Sequence, residues 1–137
     1  MAIHNVQIGS DNDGNGRTSL LPNGAAPGDP EDYRVPVGKK WAITTILFCN
    51  TGSYTESDGI TNDPDTPNSY LTYLDLHFVK SGDAAGDKNL VLNGIPIPGG
   101  ETFTFDTEKI ILEEGDLVYA QTTSPEVISA TLSYLEV

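Results

Sequence analysis

The ten residues Trp41 to Asn50 (WAITTILFCN) constrain the fold more than any other stretch of the chain. β-branched and aromatic side chains dominate it, and no glycine or proline interrupts it, so it reads as a strand. Strict alternation puts Trp41, Ile43, Leu47 and Cys49 on one face and Ala42, Ile46 and Phe48 on the other. Both faces are mostly apolar, which predicts a central strand covered on two sides. A second long strand is expected over Tyr70 to Lys80 (YLTYLDLHFVK). There Tyr70, Leu74, Leu76 and Phe78 point one way, and Leu71, Tyr73, Asp75, His77 and Val79 point the other. The mixed second face predicts a half-exposed sheet or a subunit contact.

Fourteen glycines and nine prolines punctuate the remaining chain, and helices tolerate both residues badly. Shorter apolar runs lie between turn signals: Ala2 to Ile8, Thr18 to Leu21, Asn89 to Leu92, Thr102 to Phe105, Ile110 to Leu112, Leu117 to Thr123 and Val127 to Val137. Asn93-Gly94 reads as a turn, and the prolines of Ile95-Pro96-Ile97-Pro98 confine that segment to a sheet edge or a loop. About eight strands with no helical stripe predict an all-β fold, an antiparallel β-sandwich of jelly-roll type.

Residues 22–32 (PNGAAPGDPED) hold three prolines, two glycines and no large apolar side chain. They read as a joint. The chain is therefore expected to divide into an extended N-terminal arm and linker over 1–31 and a β-sandwich domain over 32–137. On that division the apolar residues of the arm, Ile3, Val6, Ile8, Leu20 and Leu21, become candidates for partner binding. Tyr54 joins them as the lone aromatic in the polar stretch 51–69.

Twenty acidic residues against seven basic ones give a formal net charge of −13 at pH 7. Such a surface repels phosphate backbones and anionic lipid, so nucleic acid and membrane are not expected partners. The start MAIHNVQIGS has no basic region followed by an apolar one, so no signal peptide is expected. One cysteine, Cys49, excludes an intrachain disulfide. No nucleophile elbow, zinc-protease motif, P-loop or dinucleotide fingerprint occurs, and His4 and His77 have no partner at catalytic spacing. The expectation is a binding or structural part, not an enzyme, and no cofactor. Calcium is the one ion worth weighing. Asp11, Asp13 and Asn15 lie in an oxygen-rich turn, but an EF-hand alignment puts Gly9 and Leu20 where donors belong.

Several short motifs over 33–137 recur in a fixed order. Tyr-x-Val-Pro-x-Gly-Lys (33–39) comes first, then Ile-x-x-Cys-Asn (46–50) and Leu-x-Phe-Val (76–79). Ile-Pro-x-Gly-Glu-Thr (97–102), Leu-Glu-x-Gly-Asp-x-Val-Tyr-Ala (112–120) and Ser-x-Leu-Glu (133–136) follow. This order resembles small β-sandwich virion structural proteins of tailed phages, especially aquatic ones. The resemblance implies a phage part, with capsid decoration (cement) as the leading role. It further implies the major capsid protein as partner, a homo-oligomer with a trimer favoured, and a place on the capsid exterior after synthesis in the host cytoplasm. A neck, tail, baseplate or fibre part, or a host-glycan or calcium-binding module, is the alternative it leaves open.

Overall fold

The computed structural model describes residues 2–9, 17–22, 33–52, 71–123 and 127–137. Eight strands run through them: β1 Ala2–Ile8, β2 Thr18–Ser19, β3 Trp41–Asn50, β4 Thr72–Val79, β5 Leu90–Ile97, β6 Thr102–Leu112, β7 Leu117–Thr122 and β8 Ile128–Glu136. A 3-10 turn at Asp87–Asn89 leads into β5. The strands form two antiparallel four-stranded sheets, ordered β1-β8-β3-β6 and β2-β7-β4-β5.

The pairings are nested. The first strand pairs with the last, β2 with β7, β3 with β6, and β4 with β5. A long antiparallel ribbon with the β4–β5 connection at its tip, rolled up on itself, produces that pattern. Rolling then brings β3 beside β8 and β4 beside β7. This is the jelly-roll arrangement, so the expected fold class is the observed one.

One core fills the space between the sheets. The first sheet contributes Ile8, Ile43, Ile46, Phe48, Ile128, Ala130 and Leu132, and the second contributes Leu74, Leu76, Val118 and Ala120, all 0% exposed. Each fully buried large apolar side chain stabilises by roughly 1.5–3 kcal/mol over leaving it in water. Trp41 stacks on Tyr134 with ring centroids 4.8 Å apart, and Phe78 meets Phe105 across the sandwich at 6.0 Å.

Three expectations are corrected. The first concerns the arm. Residues 2–8 are strand β1, paired along their length with β8 from Ala2↔Tyr134 to Ile8↔Ile128. Thr18 and Ser19 pair with β7, and Leu20 donates its N–H to Val118 O at 2.9 Å. Residues 2–9 and 17–22 thus belong to the sandwich, and without them both sheets would lose a strand. The joint expected at 22–32 lies, from residue 23 on, outside the described residues.

The second concerns β3. Its register shifts between Ile43 and Thr45 against both neighbours, a β-bulge. The extra residue reverses the alternation, so Ile43 before it and Ile46 and Phe48 after it all face the core. Leu47 is left 38% exposed on the outside, so β3 is covered fully on one side only.

The third concerns Asn93-Gly94, which is not a hairpin turn. β5 continues through it, with Gly94 at φ 64° and its N–H donated to Asp75 Oδ1 at 2.7 Å. The side-chain acceptor on β4 replaces a ladder partner where the register shifts between Leu74 and Leu76. Pro96 sits on this edge strand, as its missing donor requires.

Candidate interaction surface

The partner-binding candidates separate once placed on the strands. Ile8, Leu20 and Leu21 are 0% exposed and sit in the core, so they cannot meet a partner in the folded protein. They read as arm residues because the glycine- and proline-rich runs that follow them isolate them in sequence. Val6 is half-buried and packs against the same core. Of the described candidates Ile3 alone is exposed, at 66%. Tyr54, Asp11, Asp13 and Asn15 lie outside the described residues. Among the described residues no group of three or more histidine, cysteine or acidic side chains is placed to hold a metal.

His77 also changes character. It is 6% exposed on the outer side of β4, under the 80–89 connection. Its Nδ1 lies 2.9 Å from Asn89 Oδ1, which can only accept, so Nδ1 carries the proton. Asn89 Oδ1 also accepts from Gly86 N, and its Nδ2 donates to Ala84 O at 2.9 Å. The histidine is thereby built into the clamp that folds this connection over Val79, Leu117 and Tyr119.

The resembling motifs meet in space as joints. Asn50, 1% exposed, ends β3. Its Nδ2 donates to Ile97 O and its Oδ1 accepts from Gly52 N, each at 2.9 Å. Its backbone N–H donates to Glu101 O and its carbonyl accepts from Gly100 N. The Cys-Asn corner is thus fastened to the Ile-Pro-x-Gly-Glu-Thr turn, which joins one sheet to the other. At the opposite end Val35 donates to Asp116 O and accepts from Gly115 N, and Gly38 N donates to Glu114 Oε2 at 2.9 Å. Asp116 accepts from Ser81 N on one carboxylate oxygen and from Glu113 N on the other. The 33–39 and 112–116 motifs are two halves of one clasp.

The remaining distinctive surface is the outer face of the first sheet. Register and burial place three cross-strand rows on it: Gln7, Ser129, Cys49 and Thr102; Asn5, Thr131, Leu47 and Thr104; Ile3, Ser133, Thr45 and Asp106. Six of these twelve side chains are hydroxyls, and Asp106 at the β6 edge is the only charge among them. Thr131 Oγ1 donates to Asn5 Oδ1 at 3.0 Å, one lateral hydrogen bond across the β1–β8 pair. On a chain of net charge −13, one charge among twelve positions is a departure from the average surface. Charge depletion is the compositional mark of an interface centre.

The concave sites lack comparable chemistry. A cleft of about 280 Å³ between the ends of β4 and β6 is lined by Phe78, Val79, Ile110, Ile111 and Leu112, with Lys80, Glu113 and Asp116 at its rim. Both Asp116 oxygens are already engaged, and Glu113 is 3.7 Å from Lys40 Nζ. Among the described residues no convergent set of polar groups points into the cleft to orient a ligand. No family model matches the chain, and no curated protein or solved structure matches it.

Proposed function

We propose that this protein is a phage virion structural protein, a capsid decoration protein that binds the outer capsid surface and stabilises the head. The observation that carries the reading is the nested jelly roll whose joints coincide with the motifs that resemble phage virion proteins. Jelly rolls recur in viral capsid proteins, in lectins and in cupins, so topology alone is shared ground. The motif order favours the particle, and the charge-poor outer sheet face supplies a surface for shell contact. The acidic balance supports an exterior position, because such a surface does not compete for packaged nucleic acid.

Co-sedimentation with purified capsids of the encoding phage, stripped of the protein, tests the reading. Saturable binding and a higher capsid disruption temperature are expected, since a ligand of the assembled state alone must stabilise it. Binding to tails and not to heads would replace decoration with a tail role. Binding to neither would remove the particle reading.

A further inference from the structure

Asparagine followed by glycine is chemically unstable. The backbone nitrogen of the next residue can attack the asparagine side-chain carbonyl carbon. Glycine, having no Cβ, neither shields that nitrogen nor restricts the rotation that attack needs. Among the described residues Asn5, Asn50 and Asn89 precede Val6, Thr51 and Leu90, and Asn93 alone precedes a glycine. The side chains of the other three are also engaged. Asn5 accepts from Thr131 Oγ1, Asn50 bonds Ile97 O and Gly52 N, and Asn89 bonds His77, Gly86 N and Ala84 O. Asn93 is exposed, and among the described residues no hydrogen bond restrains its side chain.

The nucleophile for that reaction is nevertheless occupied. Asn93-Gly94 stands opposite the single residue Asp75, between the Leu76↔Leu92 and Leu74↔Ile95 pairs of β4 and β5. Gly94, at φ 64°, donates its N–H to Asp75 Oδ1 at 2.7 Å. Attack requires a nitrogen that has given up its proton, and a carboxylate beside it disfavours the anion by like charge. The two flanking strand pairs hold the peptide in place on either side.

We infer that Asn93 is a deamidation site that Asp75 holds closed in the folded protein. When the hydrogen bond opens, Gly94 N loses its proton to solvent and forms a bond to Asn93 Cγ. The Cγ–Nδ2 bond breaks, and the amide takes a proton from solvent and leaves as ammonia. Water then opens the succinimide ring at either carbonyl, giving aspartate or isoaspartate at position 93. Either product sets a second carboxyl group beside Asp75. Isoaspartate also inserts a methylene into the main chain of β5, between the Leu92 and Ile95 pairs. That shift reaches Ile97, 2% exposed, whose carbonyl accepts from Asn50 Nδ2. A modification at the tip of the rolled ribbon thus loosens the Cys-Asn corner.

The inference stands apart from the virion reading and is tested on the full chain by peptide mapping with mass spectrometry. A hydrogen bond to a charged group must break before attack, so Asp75→Ala is expected to deamidate at Asn93 roughly ten- to a hundredfold faster than wild type under folding conditions. In urea above the unfolding transition the two proteins are expected to react at the same rate, because the contact exists only in the fold. Asp75→Asn, which keeps a neutral acceptor, is expected to fall between them. Hydrogen exchange at Gly94 N–H in the unaltered protein is a second readout that needs no variant. As urea is added below the transition, Asn93 deamidation is expected to rise in proportion to that exchange. Deamidation as fast in the folded wild type as in urea, or rates that ignore Gly94 exchange, overturn the inference. An Asp75→Ala protein that keeps its circular dichroism spectrum and reacts no faster than wild type overturns the role of Asp75.

Discussion

Replacing Asn50 by alanine tests whether the Cys-Asn corner is a structural joint. Asn50 is 1% exposed, and truncation removes its hydrogen bonds to Ile97 O and from Gly52 N. The bond to Ile97 O is buried, and leaving a buried acceptor without its donor costs roughly 1–3 kcal/mol. Gly52 N is only partly buried, so water recovers some of its loss, and about 1 kcal/mol is expected there. The sum is about 2–4 kcal/mol. For a domain of this size each kcal/mol moves Tm by roughly 3–5 °C, so a drop of roughly 6–20 °C follows. The single tryptophan, Trp41, is 6% exposed, and its emission shifts on unfolding, so urea titration by fluorescence measures the change. Thr51→Ala is the control: its hydroxyl bonds Val127 O at an exposed site, where substitutions usually change stability by about 0.5 kcal/mol or less. An Asn50→Ala loss no larger than that of Thr51→Ala would refute the joint.

Three further outcomes follow. Gly115→Ala should cost about 2–4 kcal/mol by urea unfolding, because Gly115 sits at φ 82° and a Cβ there would collide with the Ser81 side chain. Its control is Gly100→Ala, at φ 80° with nothing within 4 Å of the new Cβ, which should cost only the backbone part, about 1 kcal/mol. Phe48→Ala should cost about 3–5 kcal/mol, since Phe48 is 0% exposed between the sheets, and a loss under about 1 kcal/mol would contradict the core assignment. Burial of the inward-facing His4 lowers its pKa below 6.5, so the folded state favours neutral imidazole. Its contribution is fully present above pH 6.5 and is lost as pH falls through the lower folded pKa. Urea curves of wild type and His4→Gln should therefore converge in stability on acidification, and a gap that stays constant from about pH 7.5 to about pH 5 would show that His4 titrates alike folded and unfolded.

Alternation along the chain makes most of the strands legible in the sequence. Ile128, Ala130, Leu132 and Tyr134 share the inner face of β8 as their spacing demands, and Thr72, Leu74, Leu76 and Phe78 share that of β4. What escapes such a reading is set by partners far along the chain. In β1 the outward positions Asn5 and Gln7 are polar, and its partner β8 lies at the other end of the sequence. No local window contains that pairing, so Ala2 to Ile8 reads as an arm. The bulge at Ile43/Thr45 is likewise a property of two ladders at once, and period-two counting through it assigns Leu47 to the wrong face. Asn93-Gly94 carries strong turn chemistry but is overridden by Asp75, which lies across the sheet. The charge-poor face is also hidden, because its twelve residues come from four strands that only registration brings together.

The two sides of the first sheet impose separate demands, and the residues answer them separately. The inner side is apolar and would hold the sandwich together in any jelly roll. The outer side needs only to be soluble, and for that the acidic residues so frequent elsewhere would serve. Instead Thr102, Thr104, Thr131, Ser129 and Ser133 occupy it, with Leu47 in the middle row at 38% exposed. Threonine suits an exposed strand, which explains its presence on any one strand. It does not explain why the twelve outer-row positions on four adjacent strands hold neither lysine nor glutamate, since opposite charges across a ladder stabilise it equally well. A docking face resolves this, because every charge placed there would have to be desolvated on contact, and hydroxyls are desolvated at far lower cost. Thr104→Lys with Thr131→Lys separates the two explanations. Both side chains lie outside the core, so the fold should keep its stability within about 1 kcal/mol. Capsid co-sedimentation should fall at least tenfold, and undiminished binding would leave strand propensity as the whole reason for the hydroxyl face.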